Sequence, residues 1–285
     1  MNIKVLMLGT GTPRLRPHRC GSSSLIQIGG DSILIDCGYG SARRMAENGI
    51  NLHDVQRLLF THHHYDHNVD YPSFVLHGRS GRETPLNVYG PIGTEKLSSD
   101  LFVTGGFTID LNNRLSADIN RGTILSGVQD IDAGFTLESD TWKLTAERAD
   151  HFTVGGNFTL CYRIDTDDGS IVFSGDTIPC DGIRKLAKGA DVLVHEVFWQ
   201  PLQGVDGRRP FTKEDATEEL YTASRRTKHS LPEEVKTIAH EAGVKRLVLT
   251  HLFSDEHLDE LQGYMQQGVE CEVVLGEDHM RFEVG

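Results

Sequence analysis

The chain has 285 residues, 38% of them hydrophobic and 24% charged. That is enough for one large domain with a sizeable core, and no apolar run approaches the ~18 residues of a membrane span. Lys+Arg 28 against Asp+Glu 41 gives a net charge of −13, which argues against broad electrostatic binding to a phosphate backbone. Five cysteines with no Cys-x-x-Cys pair fit neither a disulfide framework nor a thiolate zinc site, and glycine breaks the opening apolar run too early for a secretory signal. A reducing cytoplasm is the expected location.

Residues 3–8 form a short apolar run ended by Gly9, Gly11 and Pro13, read as a buried strand and a sharp loop. Strands are expected at 24–28 and 32–35 around a hairpin at Gly29-Gly30-Asp31, and a helix at 39–48 that stops at Gly49. Residues 55–60 are apolar and run into a histidine cluster; 86–89 read as a strand and 92–101 as a helix. The polar stretch 104–133 reads as an insertion or long loop. Strands at 142–148, 158–164 and 170–173 follow, then a short helix at 182–188 and a buried strand at 191–195. Residues 200–226 are mixed and read as a variable segment. Pro232 with Glu233 and Glu234 opens a helix to about residue 241. A strand at 246–250, a helix at 256–267 and strands at 271–275 and 280–284 close the chain. The order predicts a single α/β domain over 1–285, two mixed sheets packed face to face with helices outside.

The chemistry concentrates at Thr61-His62-His63-His64-Tyr65-Asp66-His67. A loop leaving a strand fans His62, His64, Asp66 and His67 toward one point, and imidazole with carboxylate but no thiolate suits zinc, or manganese or iron. The pattern resembles the metallo-β-lactamase superfamily, which expects further ligands at strand ends. His151, Asp176 and His251 stand in those positions. Leu8-Gly9-Thr10-Gly11-Thr12-Pro13, Cys20-Gly21-Ser22-Ser23-Ser24, Leu34-Ile35-Asp36-Cys37-Gly38, residues 191–196 and His229-Ser230 look like its ribonuclease Z and arylsulfatase-like branch.

The resemblance implies an αββα four-layer sandwich, in agreement with the two-sheet reading. It also implies two zinc ions: one on His62, His64 and His151, the other on Asp66, His67 and His251, with Asp176 bridging. Asp66, His229 and Glu196 are then the catalytic groups. His229 gives a proton to the leaving oxygen, and Glu196 orients it. Asp36 is expected to hydrogen-bond a ligand. His63 should point away, His195 should lie behind a ligand or in the core, and Tyr65 is read as packing ahead of a contact with substrate.

A binuclear zinc hydrolase that attacks a small phosphodiester or sulfate ester with a metal-bridging hydroxide is the expected function. The expected partner is a small anionic ester, with no nucleic acid and no membrane, and a homodimer is left open. Ribonuclease Z-type tRNA 3′ processing is the alternative. It is set lower because of the net charge and because the interval from His151 to Asp176 has no room for an RNA-gripping arm. A lactone or carboxylic ester hydrolase comes next. A non-catalytic metal-binding protein comes last, since every ligand is present.

Overall fold

Strands buried on both faces need apolar residues at every position, not at alternate ones. Ser170–Phe173 and Val192–Glu196 are buried throughout. They lie inside one of two seven-stranded sheets in the computed structural model, which describes residues 1–79, 81–114, 125–151, 158–199 and 228–285.

The first sheet contains β1 (Ile3–Gly9), β2 (Ser23–Ile28), β3 (Asp31–Ile35), β4 (Arg57–Leu59), β5 (Leu86–Gly90) and β6 (Leu125–Asp130). The second contains β7 (Thr136–Glu138), β8 (Lys143–Ala149), β9 (Thr159–Asp165), β10 (Ser170–Phe173), β11 (Val192–Glu196), β12 (Arg246–Thr250) and β13 (Glu272–Leu275). The last strand, β14 (Arg281–Val284), returns to the first sheet beside β1. Read across, both sheets follow one pattern: three antiparallel pairings, then three parallel ones.

One apolar cluster fills the space between the sheets, with Ile26, Ile35, Leu160, Phe173 and Val248. A second lies under the helices Asp181–Ala187, Pro232–Ala242 and Leu258–Gln266, and a third under Ser41–Glu47 and Tyr71–Gly78. The layers are therefore helix, sheet, sheet, helix, the αββα sandwich expected. Among the described residues no helix is long and apolar enough to cross a membrane.

The stretch 104–133 is more ordered than its composition suggested. It carries the helix Thr108–Arg114 and the edge strand β6, whose Leu-Ser-Gly-Val-Gln-Asp sequence is too polar to announce a strand. Residues 115–124 and the whole expected variable segment 200–226, with its Arg208-Arg209 and Arg225-Arg226 pairs, lie outside the described residues.

Close backbone approach shapes the end of the first sheet. Cys37 N–H donates to the His67 carbonyl at 2.7 Å, and a Cβ built on Gly38 would sit 2.0 Å from the Asp66 carbonyl oxygen. Only glycine lets the strand-end loop lie this close to the helix Tyr65–Asn68. Gly38→Ala should therefore displace that helix and lower the melting temperature by about 3–10 °C, the range expected for overpacking by ~1–3 kcal/mol. Gly263→Ala, in the helix Leu258–Gln266 with open space around it, should leave it unchanged or raise it. Thermal scans by circular dichroism check both, and an unchanged Gly38→Ala would contradict the close approach.

Candidate metal centre

The carboxyl ends of the central strands converge between the two sheets. β4 runs through Phe60 into Thr61-His62-His63-His64, after which the short helix Tyr65–Asn68 turns Asp66 and His67 inward. His151 follows β8, Asp176 follows β10 and His251 follows β12. Glu196 is the last residue of β11.

The side chains meet around Asp176. Its Oδ2 lies 3.8 Å from His62 Nε2, 3.7 Å from His151 Nε2 and 3.5 Å from His251 Nε2, and its Oδ1 lies 3.4 Å from His67 Nε2. His64 Nδ1 stands 3.2 Å from His151 Nε2, and His251 Nε2 stands 3.2 Å from Asp66 Oδ2. Most of these spacings are too long for good hydrogen bonds. They are close to the edge of a tetrahedron built on ~2.0–2.1 Å bonds, about 3.3–3.4 Å. Two groups of donor atoms result: His62, His64, His151 with Asp176, and Asp66, His67 with His251.

The donor chemistry fits a metal. His62 Nε2 and His67 Nε2 are buried with no hydrogen-bond partner among the described residues, a cost that a bound cation would remove. The opposite nitrogens of three rings are engaged. His67 Nδ1 donates to Asp36 Oδ2 at 2.7 Å, His151 Nδ1 to the Lys228 carbonyl at 2.9 Å, and His62 Nδ1 to Thr61 Oγ1 at 3.0 Å. Such bonds fix each tautomer and leave Nε2 as the ligand atom. Asp36 is itself held by Thr61, through N–H at 2.7 Å and Oγ1–H at 2.9 Å.

Charge follows the same plan. Burial pushes His62 and His64 below the ordinary imidazole range and His151 down to about 4, so these rings are neutral donors near pH 7. Burial opposes charge on His67 as well, but Asp176, Asp36 and Asp66 outweigh it and hold that ring well above its usual value. Burial likewise disfavours an ionised Asp176, yet His251 and His67 keep its carboxyl well below the usual range. The carboxylates draw positive charge into the cluster.

His229 and Glu196 sit beside this group. Glu196 Oε1 accepts from Thr177 N–H at 3.0 Å and Ser230 N–H at 3.1 Å, and stands 3.1 Å from His229 Nδ1. Against the effect of burial, Glu196 and Asp176 raise His229 to about 9. Its ring stacks on Phe198 and His251 and meets Phe253 edge-on. His229 also forms a third donor group with Asp176 and His251, its Nδ1 3.9 Å from Asp176 Oδ2.

The remaining residues singled out in the sequence lie apart. His63 turns to Thr94 Oγ1 at 2.9 Å and packs on Phe60, and His195 is fully buried with Nδ1 on the Glu196 carbonyl. Sequence reasoning missed Thr61, Lys228 and Phe253. Thr61 had a signal, a hydroxyl directly before the histidine run. The Lys228 contribution is a backbone carbonyl, which no residue type announces. Asp255 was also missed: it takes Arg16 at 2.8 Å and Arg19 at 2.7 Å, tying the loop after β1 to the loop after β12.

Comparison with known proteins places this architecture. A beta-lactamase superfamily domain profile matches residues 31–252. A protein named ribonuclease Z from Mycobacterium tuberculosis is 31% identical over 254 residues, 87% of this chain and 85% of its own. Among solved structures, the metallo-beta-lactamase fold protein YhfI from Bacillus subtilis has a TM-score of 0.73 at 19% identity, covering 99% of this chain and 100% of its own. The short form of human tRNase Z has a TM-score of 0.71 at 20% identity, covering 99% of each chain.

Asp36→Asn separates tautomer control from folding. The amide keeps an acceptor for Thr61 but presents N–H to His67 Nδ1, which moves the ring proton to Nε2. Metal affinity should fall by ~10–100-fold with an unchanged far-ultraviolet spectrum. Competition with a chromophoric chelator measures it, and an unchanged affinity would remove Asp36 from this role.

Proposed function

The chain belongs to the metallo-β-lactamase superfamily, in its ribonuclease Z branch, and from that premise we propose that it is a metal-dependent endonuclease that removes 3′ trailers from precursor tRNA. The observation that carries the reading is 31% identity to a protein named ribonuclease Z over most of both chains.

Two expectations are corrected by this finding: a small phosphodiester or sulfate ester as substrate, and the exclusion of nucleic acid as partner. Both rested on averages. The net charge of −13 describes the whole surface, whereas a phosphate meets only the groups around the centre. Arg14, exposed on the loop that Tyr65 reaches, is one such group. The interval from His151 to Asp176 was judged too short for an RNA grip. Yet this chain matches 85% of the Mycobacterium protein's length at 31% identity, a relationship that the length of one interval does not outweigh.

In the proposed centre His62, His64 and His151 would hold one ion and Asp66, His67 and His251 the other, with Asp176 available to both. Zinc suits this donor set. Such a pair, when bound, supplies Lewis acidity at phosphoryl oxygens and lowers the pKa of a water. Asp176 suits the shared position because its carboxylate reaches both groups of imidazoles, Oδ2 near His62, His151 and His251 and Oδ1 near His67. His229, held protonated by Glu196, stands at the edge of the cluster and delivers a proton to the leaving ribose oxygen. Glu196 fixes the ring through its own two backbone donors, Thr177 and Ser230. A cytoplasmic location is part of the same proposal.

Metal-replete protein should hold about two ions per chain and cut a 3′ trailer, with cutting lost on chelation and weakened by salt. Failure to cut precursor tRNA at full metal content would overturn the reading. Asp176→Ala should lose the most metal by elemental analysis.

His229→Ala should keep its metal and lose ~10²–10⁴ in turnover on RNA. Loss of metal instead would assign His229 to the third donor group. A general acid works while protonated, so wild-type turnover should fall as pH rises through the His229 pKa. That pKa lies at about 9, and neighbouring cations would lower it. The fall should be absent from the His229→Ala profile.

A further inference from the structure

The residue between two of the candidate ligands has no place yet. Tyr65 follows His64 and precedes Asp66, and its side chain is 56% exposed. Of the seven residues in the two donor groups, His64 alone is half-buried. The centre therefore opens to solvent beside His64, and Tyr65 is the next residue along that lip.

The ring is exposed but held. Tyr65 Oη donates to the Pro13 carbonyl at 2.9 Å, which fixes the ring at its far end. Arg14, the next residue on that loop, is exposed and cationic. Val69, one helical turn on from Tyr65 and 50% exposed, extends the same apolar face. The contrast with His63 is informative, since that neighbouring ring is packed on Phe60 and bonded to Thr94. Tyr65 makes no such retreat, although burying an aromatic ring is ordinarily favourable.

A flat, preoriented ring beside a phosphodiester-cleaving centre suits one chemical group above others, a nucleobase. Every base has a π-face, so stacking is strong yet tolerant of sequence. A ring already fixed by hydrogen bonding gives up little freedom on binding. On the reading of the centre as a trailer-cutting nuclease, we propose that Tyr65 is the platform for the unpaired base that flanks the scissile phosphate. It is a substrate-positioning residue, and it gives the centre a preference for nucleic acid over small phosphate esters.

The test pairs protein and RNA changes. Precursor tRNA is prepared intact and with an abasic site at the first trailer nucleotide, and both are cut by wild type, Tyr65→Phe and Tyr65→Ala. In wild type, removing the base should lower kcat/KM by about 5–150-fold, the range of one base–aromatic stack. In Tyr65→Ala, removing it should cost less than about 2-fold, because the partner is already gone. Tyr65→Phe keeps the ring and should retain most of the wild-type effect. The intact-to-abasic ratio within each protein cancels any change in metal content. Equal ratios in wild type and Tyr65→Ala would overturn the proposal.

Binding of a single-stranded oligonucleotide carrying 2-aminopurine separates this proposal from the function it rests on. Quenching by wild type but not by Tyr65→Ala, with no trailer cutting, would uphold the platform and reject the nuclease reading. Trailer cutting with equal quenching by both proteins would do the reverse. Neither quenching nor cutting would reject both.

Discussion

The buried carboxylate of Asp176 is the group around which this molecule is arranged. Nitrogens of His62, His67, His151, His229 and His251 all lie 3.4–3.9 Å from it. Three further carboxylates, Asp36, Asp66 and Glu196, are buried close by. Withdrawing so many charges from water is costly unless opposite charge and hydrogen bonds come with them. The fold meets that demand from two directions, with rings from the first sheet and rings from the second, so neither sheet could hold the centre alone. Each outer partner, whether Asp36, Thr61 or the Lys228 carbonyl, fixes the orientation of a ring.

The backbone bears part of this demand. Among the described residues five non-glycine residues have positive φ, and three of them are Asp36 at 59°, Lys228 at 52° and His251 at 53°. Such conformations cost of order 1 kcal/mol or more each and persist only where the surroundings over-determine them. Here the over-determination is visible. Asp36 is held by Thr61 and His67, and the Lys228 carbonyl takes His151 while its ammonium takes Asp150 at 2.7 Å.

Much of this was legible in the sequence. Strands buried on both faces announce themselves as apolar runs, which is why β1, β4, β10, β11 and β12 were readable. Titratable residues placed just after them stand out by type, so the residues brought together are the ones singled out. The illegible parts share a physical cause. β6 and β7 lie at sheet edges, where solvent tolerates polar residues, and the four-residue helix Tyr65–Asn68 is too short to show a period. The substrate was misread because net charge and interval length are sums over the chain, whereas recognition is local. For Tyr65 the sequence left packing ahead of a substrate contact, because residue type does not report exposure.

The pairing of β14 with β1 has a kinetic consequence. Ile3 lies opposite Val284 and Leu6 opposite Arg281, so β1 finds its outer neighbour only in β14, which is made long after it. All of β1 except Lys4 is buried in the finished fold. Until β14 is made that apolar edge is unpaired, and an unpaired edge is a template for another chain. Closing so long a loop also favours slow folding. Crowded nascent chains thus have a competing route, in which the closing strand of one copy pairs with the open edge of another, and dilution or a chaperone that shields residues 3–9 would favour the correct one.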